Sequence, residues 1–112
     1  MATITSRKSG DVTILDVAGK VTAGDGSGAV HSAVQDALNG GATKIVLNGA
    51  WTTIDSSGIG ECIASHAQAA DRGAQLKVVA PPSTASDALH ITQLNKVLEV
   101  HDNEAQAVAS FS

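Results

Sequence analysis

The stretch Ile54-Asp55-Ser56-Ser57-Gly58-Ile59-Gly60-Glu61 decides how the chain is read. A β-branched run, Lys44-Ile45-Val46-Leu47-Asn48, precedes it, and a helical pattern follows it to about Arg72. The stretch therefore reads as a strand-to-helix turn in which small and hydroxyl side chains open a helix. The first N–H groups of a helix have no intrahelical partner and carry the positive end of its dipole, so they favour negative charge. A serine here can cap the helix, or it can carry a charge that something else reads.

Outward from the turn, the run Lys44 to Leu47 has no alternation, as expected of a strand covered on both faces. Before it, Val30, Val34, Ala37 and Leu38 lie at i, i+4, i+7 and i+8, one apolar helix face. That helix is capped near Asp25 or Ser27 and stopped by Asn39-Gly40-Gly41. Earlier still, Thr3 to Arg7 and Val12 to Gly19 are β-rich and joined by the turn Lys8-Ser9-Gly10-Asp11, which predicts an antiparallel hairpin. Lys20-Val21-Thr22 extends the second strand past an irregularity at Gly19.

Downstream of the turn, Ile59, Cys62, Ile63, His66, Ala67 and Ala70 form the expected helix stripe, which Gly73 ends. Gln75 to Ala80 is a strand, and Pro81-Pro82-Ser83 sets up a third helix with Ala85, Ala88, Leu89 and Thr92 inward. Val97 to Val100 is a last short strand. Asp102-Asn103 then caps a helix through Ala105, Val108, Ala109 and Phe111, with Asn103 and Gln106 spaced as a capping box. The order β-β-α-β-α-β-α-β-α predicts an α/β fold: a mixed, mostly parallel sheet of about five strands with about four helices. Residues 1–112 read as a single domain without repeat or linker.

Composition narrows the chemistry. Seven Lys and Arg against eleven Asp and Glu give a net charge of −4, with no basic stripe, so nucleic acid is not the expected partner. Trp51 and Phe111 are the only aromatics, too few for base or sugar stacking. One cysteine, Cys62, excludes an internal disulfide and fits a reducing compartment, and no run is long enough for a membrane span. The N-terminal residues do not read as a signal peptide, so the expected location is cytoplasmic.

His31, His66, His90 and His101 fall on different elements with no His-x-x-x-His pair, which argues against a metal site. Gly24-x-Gly26-x-x-Ala29 matches a loose dinucleotide fingerprint, but it follows a hairpin strand and lacks the acid expected at the end of the next strand, where Asn48 stands. A loop before a helix explains it better. No cofactor is expected. Ser57 lies in Asp-Ser-Ser-Gly rather than Gly-x-Ser-x-Gly, and His66 is roughly 13 Å along the same helix, out of hydrogen-bond reach. Cys62 reads as a small apolar stripe member.

As an N-cap, Ser57 would be worth about 1 kcal/mol. Gly58 and Gly60 in the first turn each cost up to about 1 kcal/mol against alanine, which a purely structural helix start would not choose. They leave room for something large. The residues by themselves leave Ser57 open between a plain cap and a functional group.

Ile54-Asp55-Ser56-Ser57-Gly58-Ile59-Gly60 resembles the signature of the STAS domain of anti-sigma factor antagonists, or anti-anti-sigma factors. The resemblance extends over Gly10 to Val21, Lys44 to Leu47, Gln75 to Val79, Leu89-His90-Ile91-Thr92-Gln93-Leu94 and the helix from Asp102 to Phe111. It implies partner switching without enzymatic activity. The unphosphorylated antagonist binds an anti-sigma factor that is a serine kinase, phosphorylation of the second serine, Ser57, releases it, and a serine phosphatase resets the cycle. The partner-binding residues it implies are Asp25, Asp55, Ser56, Ser57, Gly58, Gly60 and Glu61.

The sequence departs from the family pattern in three places. Asn48 stands where Asp is common, in a segment about one residue short. The acid nearest Thr22 is Asp25, and Trp51 is unusual. A competing expectation is a non-switching STAS subunit of a transport ATPase or a stress-signalling scaffold, in which Ser57 only caps a helix. A third is an enzyme that uses Ser57 as nucleophile.

Overall fold

The computed structural model describes residues 3–21, 27–54, 56–79, 100–101 and 104–111. Five strands form one sheet in the order β1-β2-β3-β4-β5. They are β1 (Thr3–Ser9), β2 (Val12–Val21), β3 (Lys44–Ile54), β4 (Gln75–Val79) and β5 (Val100–His101). Three helices are described: α1 (Ser27–Asn39), α2 (Ser56–Asp71) and α3 (Glu104–Ala109). β1 runs antiparallel to β2, and every other neighbouring pair is parallel. The expected mixed α/β sheet is thus present. The helix expected from Ser83, the start of the last strand and the Asn103 cap lie outside the described residues.

The hairpin is tighter than the sequence suggests. Ser9 pairs with Val12, so only Gly10 and Asp11 turn the chain. Gly10 has φ +63° and Asp11 does not adopt a positive φ, the pattern of a two-residue type II′ turn with glycine first. Both long helices end alike. Ala42 N–H donates to Ala37 O at 3.0 Å and Gly41 N–H to Leu38 O at 3.0 Å. Ala74 N–H donates to Ala69 O at 2.8 Å and Gly73 N–H to Ala70 O at 3.1 Å. With Gly41 and Gly73 at φ +96° and +74°, these are paired Schellman ends, which return each chain toward the next strand.

The sheet is buried on both faces, and strand alternation sorts its residues. Leu15, Val17, Ile45, Leu47, Leu76 and Val78 face α1 and α2, where Val30, Val34, Leu38, Ile59, Cys62 and Ala69 meet them. Val12, Ile14, Val46 and Val79 face the other way, against Ala107, Val108 and Phe111 of the α3 segment. The unalternated run Lys44 to Leu47 is therefore a doubly covered strand, as its composition predicts.

Two expectations are corrected. β3 does not stop near Leu47 but continues to Ile54, beside a β2 that reaches Val21. The register slips between Gly19 and Lys20, which pair with Trp51 and Thr53, so Thr52 is the extra residue. Long-range pairing here overrides the poor strand propensity of Asn48-Gly49-Ala50. The buried stripe of α2 is also rotated: Ser65 and Ala69 are fully buried, while Ala67 and Ala70 are exposed. Alanine and serine differ too little in hydrophobicity to fix a helix's rotation from periodicity.

Candidate functional site

The long β3 delivers the chain almost directly into α2, with Asp55 alone between them. Ser56 is the first residue of α2 and Ser57 the second, so Ser57 lies within the first turn of the helix. A second-position serine is free to point its hydroxyl outward, and Ser57 is exposed. Gly58 and Ile59 are buried directly behind it, Ile59 at 4% exposure within the main core cluster. The core thus anchors the first turn and leaves Ser57 exposed.

Gly60 is exposed, and a Cβ built on it would meet nothing within 4 Å. It continues an outward face of small residues, Ser57, Gly60, Ala64 and Ala67, at i, i+3, i+7 and i+10. The neighbouring start of α1 is equally slight, with Gly28, Ala29 and Ser32 exposed. The two helix starts therefore form a low surface over which another molecule can approach Ser57 closely. Glu61 is half-buried at the seam between them, its Oε2 3.8 Å from Nδ1 of His31 on α1. Asp25 and Asp55, the remaining expected contact residues, lie outside the described residues.

Among the described residues no three His, Cys, Asp or Glu side chains cluster as metal ligands. His31 lies on Glu61, and His66 has a buried Nδ1 without a partner among the described residues, so neither is engaged with Ser57. Burial pushes the Cys62 thiol up to about 12, which keeps it protonated and unreactive, in line with a packing role. No described helix is long and apolar enough to cross a membrane.

The family model described as "Mlab, STAS domain" matches residues 4–99. The chain belongs to the STAS domain family. The solved structures agree in fold. An anti-sigma factor antagonist from Mycobacterium paratuberculosis superposes on this STAS domain with TM-score 0.81 at 18% identity, over 98% of this chain and 93% of that one. TM1081 of Thermotoga maritima gives TM-score 0.79 at 22% identity, over 96% and 92%. The Bacillus cell fate determinant SpoIIAA in its phosphorylated form gives 0.66 at 15% identity, over 98% and 100%. At these identities the likeness concerns the fold. No sequence among the curated proteins matches the chain.

The structure also accounts for Asn48, the departure noted in the sequence. On the α3 face, Arg7 of β1 donates from Nε to Asp16 Oδ2 at 2.6 Å and from one terminal nitrogen to Asp16 Oδ1 at 3.1 Å. It also donates to both carboxylate oxygens of Glu104 at the start of α3. Asn48 Nδ2 donates to Asp16 Oδ1 at 2.7 Å and reaches Glu104 Oε1 at 3.5 Å. A carboxylate at position 48 would put a third negative group on one guanidinium, whereas the amide supplies a donor that both acids can use. Sequence reasoning missed this cluster because its members are up to 97 positions apart. The only local signal was an acid in the first turn of the last helix.

Proposed function

We propose that this STAS domain is an anti-sigma factor antagonist whose binding surface is switched by phosphorylation of Ser57. In the unphosphorylated state it binds an anti-sigma factor serine kinase through Asp25, Asp55, Ser56, Ser57, Gly58, Gly60 and Glu61. Phosphorylation by that kinase ends the complex, and a serine phosphatase restores it. The domain is substrate and ligand rather than enzyme, and it acts in the cytoplasm.

The observation that carries this reading is the exposed Ser57 in the first turn of α2, set on buried Gly58 and Ile59 and beside the open position at Gly60. The physical chemistry supports it. A phosphate adds about −1.5 to −2 charge, and the helix dipole favours it by about 0.3–2 kcal/mol, so the fold accommodates the modification. Buried against a partner without a cation, the same dianion costs several kcal/mol. About 4 kcal/mol corresponds to a thousandfold loss of affinity, enough for release.

The test begins with intact mass and site mapping after incubation with the cognate kinase and ATP. A single phosphate on Ser57 supports the reading. Phosphate on Ser56 or Thr53 instead would contradict the choice of residue.

A further inference from the structure

The sheet ends on β1, which pairs with β2 on one side only. Ser9 and Val12 flank a two-residue turn and so form a hydrogen-bonded pair. The alternation of an antiparallel ladder then turns the N–H and C=O groups of Arg7, Thr5 and Thr3 toward β2. Those of Ile4, Ser6 and Lys8 point to the outer edge. A long exposed edge is a template for another strand unless something blunts it, and cations on the edge are one such device. β1 has two. Arg7, on the α3 face, is already neutralised by Asp16 and Glu104. Lys8 is on the opposite face and makes no ion pair among the described residues.

On that opposite face a trough runs between β1 and α1. Toward the start of β1 it is lined by Ile4, Leu15, Ala33 and Asp36. Toward the hairpin it is lined by Lys8, Thr13, Gly40 and Gly41. Ser6 and Ala37 border both parts, so Ser6 marks the middle. Asp36 is exposed and, like Lys8, unpaired among the described residues. The other acid of the trough, Asp11, is held by Lys44 at 2.7 Å. One half therefore offers an acid and the other a base, disposed about a single residue.

We propose that this edge is a homodimer interface, in which β1 pairs antiparallel with β1 of a second copy about a two-fold axis at Ser6. In that register Ser6 meets its counterpart and Ile4 meets Lys8 of the other copy. Every outward N–H and C=O of the three residues finds a partner, about six hydrogen bonds in all. Each Lys8 enters the acidic half of the opposite trough beside Asp36, which gives two symmetric ion pairs, as a self-complementary interface requires. Half-buried Ala33 and Ala37 leave room there for the lysine stem. The neighbouring registers fit less well. Centring on Arg7 sets two like charges directly opposite, and centring on Thr5 carries Lys8 past the start of β1 and away from Asp36. α2 lies over β3 and β4, away from this edge, so pairing leaves both copies of Ser57 open and does not depend on its proposed role.

The experiment is sedimentation velocity from about 1 μM to about 1 mM chain on the parent, Ser6→Pro, Lys8→Glu, Asp36→Lys and the double variant Lys8→Glu/Asp36→Lys. The parent should show a reversible monomer–dimer equilibrium that added salt weakens. Ser6→Pro removes an outward N–H and leaves the ladder to β2 intact, so it should be folded and monomeric. Each single charge reversal should weaken the dimer at least about tenfold, and the double variant, which exchanges the two halves, should return to within about threefold of the parent. A parent that is monomeric at about 1 mM overturns the proposal. So does a dimer that the double variant fails to restore, or one that survives in a Ser6→Pro protein shown to be folded by its denaturation midpoint. If Ser6→Pro does not fold, the charge exchange decides alone.

Discussion

The two faces of the sheet handle charge in opposite ways. On the α3 face, Arg7, Asp16, Asn48 and Glu104 form a closed cluster in which each carboxylate meets at least two donors. At the other end of that helix, Lys77 Nζ donates to Ser110 O and Oγ at 3.1 and 2.7 Å and sits 4.4 Å from the Phe111 ring centre. On the α1–α2 face the core is larger and apolar, the surface around Ser57 is made of small residues, and the nearby charged contact is the loose one between His31 and Glu61. The α3 face uses charge to hold a six-residue helix that has little apolar surface of its own. The α1–α2 face is held by packing, so its charge can change without loss of the fold. If Ser57 takes a phosphate as proposed, it lies on the face better suited to a change of charge.

The contrast can be broken by adding charge to each face. Asn48→Asp should destabilise the fold by about 1–3 kcal/mol, because it removes a donor to two carboxylates and adds a third acid. Chemical denaturation would show this as a lower midpoint with an unchanged slope. Ser57→Asp, by comparison, should leave the midpoint within about 0.5 kcal/mol of the parent. A larger loss in Ser57→Asp than in Asn48→Asp would erase the distinction between the faces.

The pH response sharpens the comparison. The Arg7 guanidinium holds the Asp16 carboxyl below the usual carboxylate range. With its folded pKa below the unfolded one, Asp16 contributes stability that is complete above the ordinary carboxylate pKa and is lost as the pH falls below about 4. Asp16→Asn should therefore flatten the acid end of the stability curve, and His31→Asn should leave that end unchanged. Equal acid slopes in Asp16→Asn and the parent would mean that the cluster is not what the acid dissolves.

The smallest effect concerns Gly60. Its Cβ site is open, and alanine there should raise stability by about 0.5–1 kcal/mol through helix propensity. If Gly60 provides clearance for the partner, the same variant binds the kinase more weakly although it is more stable. A Gly60→Ala protein that is more stable and binds normally would remove clearance as the reason for the glycine.

Much of this molecule could be read before its coordinates. The hairpin, the Gly19 irregularity, the apolar face of α1 and the glycine stops follow from local rules, and each is present. The strand-to-helix turn that places Ser57 at the start of α2 was also legible, but its exposure was not, because the residues alone leave it open between a cap and a functional group. What escaped was set by distance in sequence. The extension of β3 to Ile54 depends on the length of β2, and the Arg7–Glu104 contact joins the two ends of the chain. The His31–Glu61 contact depends on how α1 and α2 lie against each other, which no single helix pattern encodes. The rotation of α2 was misjudged because its faces differ mainly in alanine and serine.

The central claim is that one side chain, Ser57, decides whether the partner stays bound. The direct measurement is the equilibrium affinity of Ser57→Ala and Ser57→Asp for the cognate anti-sigma factor kinase, under one buffer and with both variants shown to be folded. The account predicts that Ser57→Ala binds as the unmodified protein does, and that Ser57→Asp binds at least tenfold more weakly, approaching the roughly thousandfold loss expected of a full phosphate dianion. Equal affinities would contradict it and would leave Ser57 as an ordinary residue of a helix start.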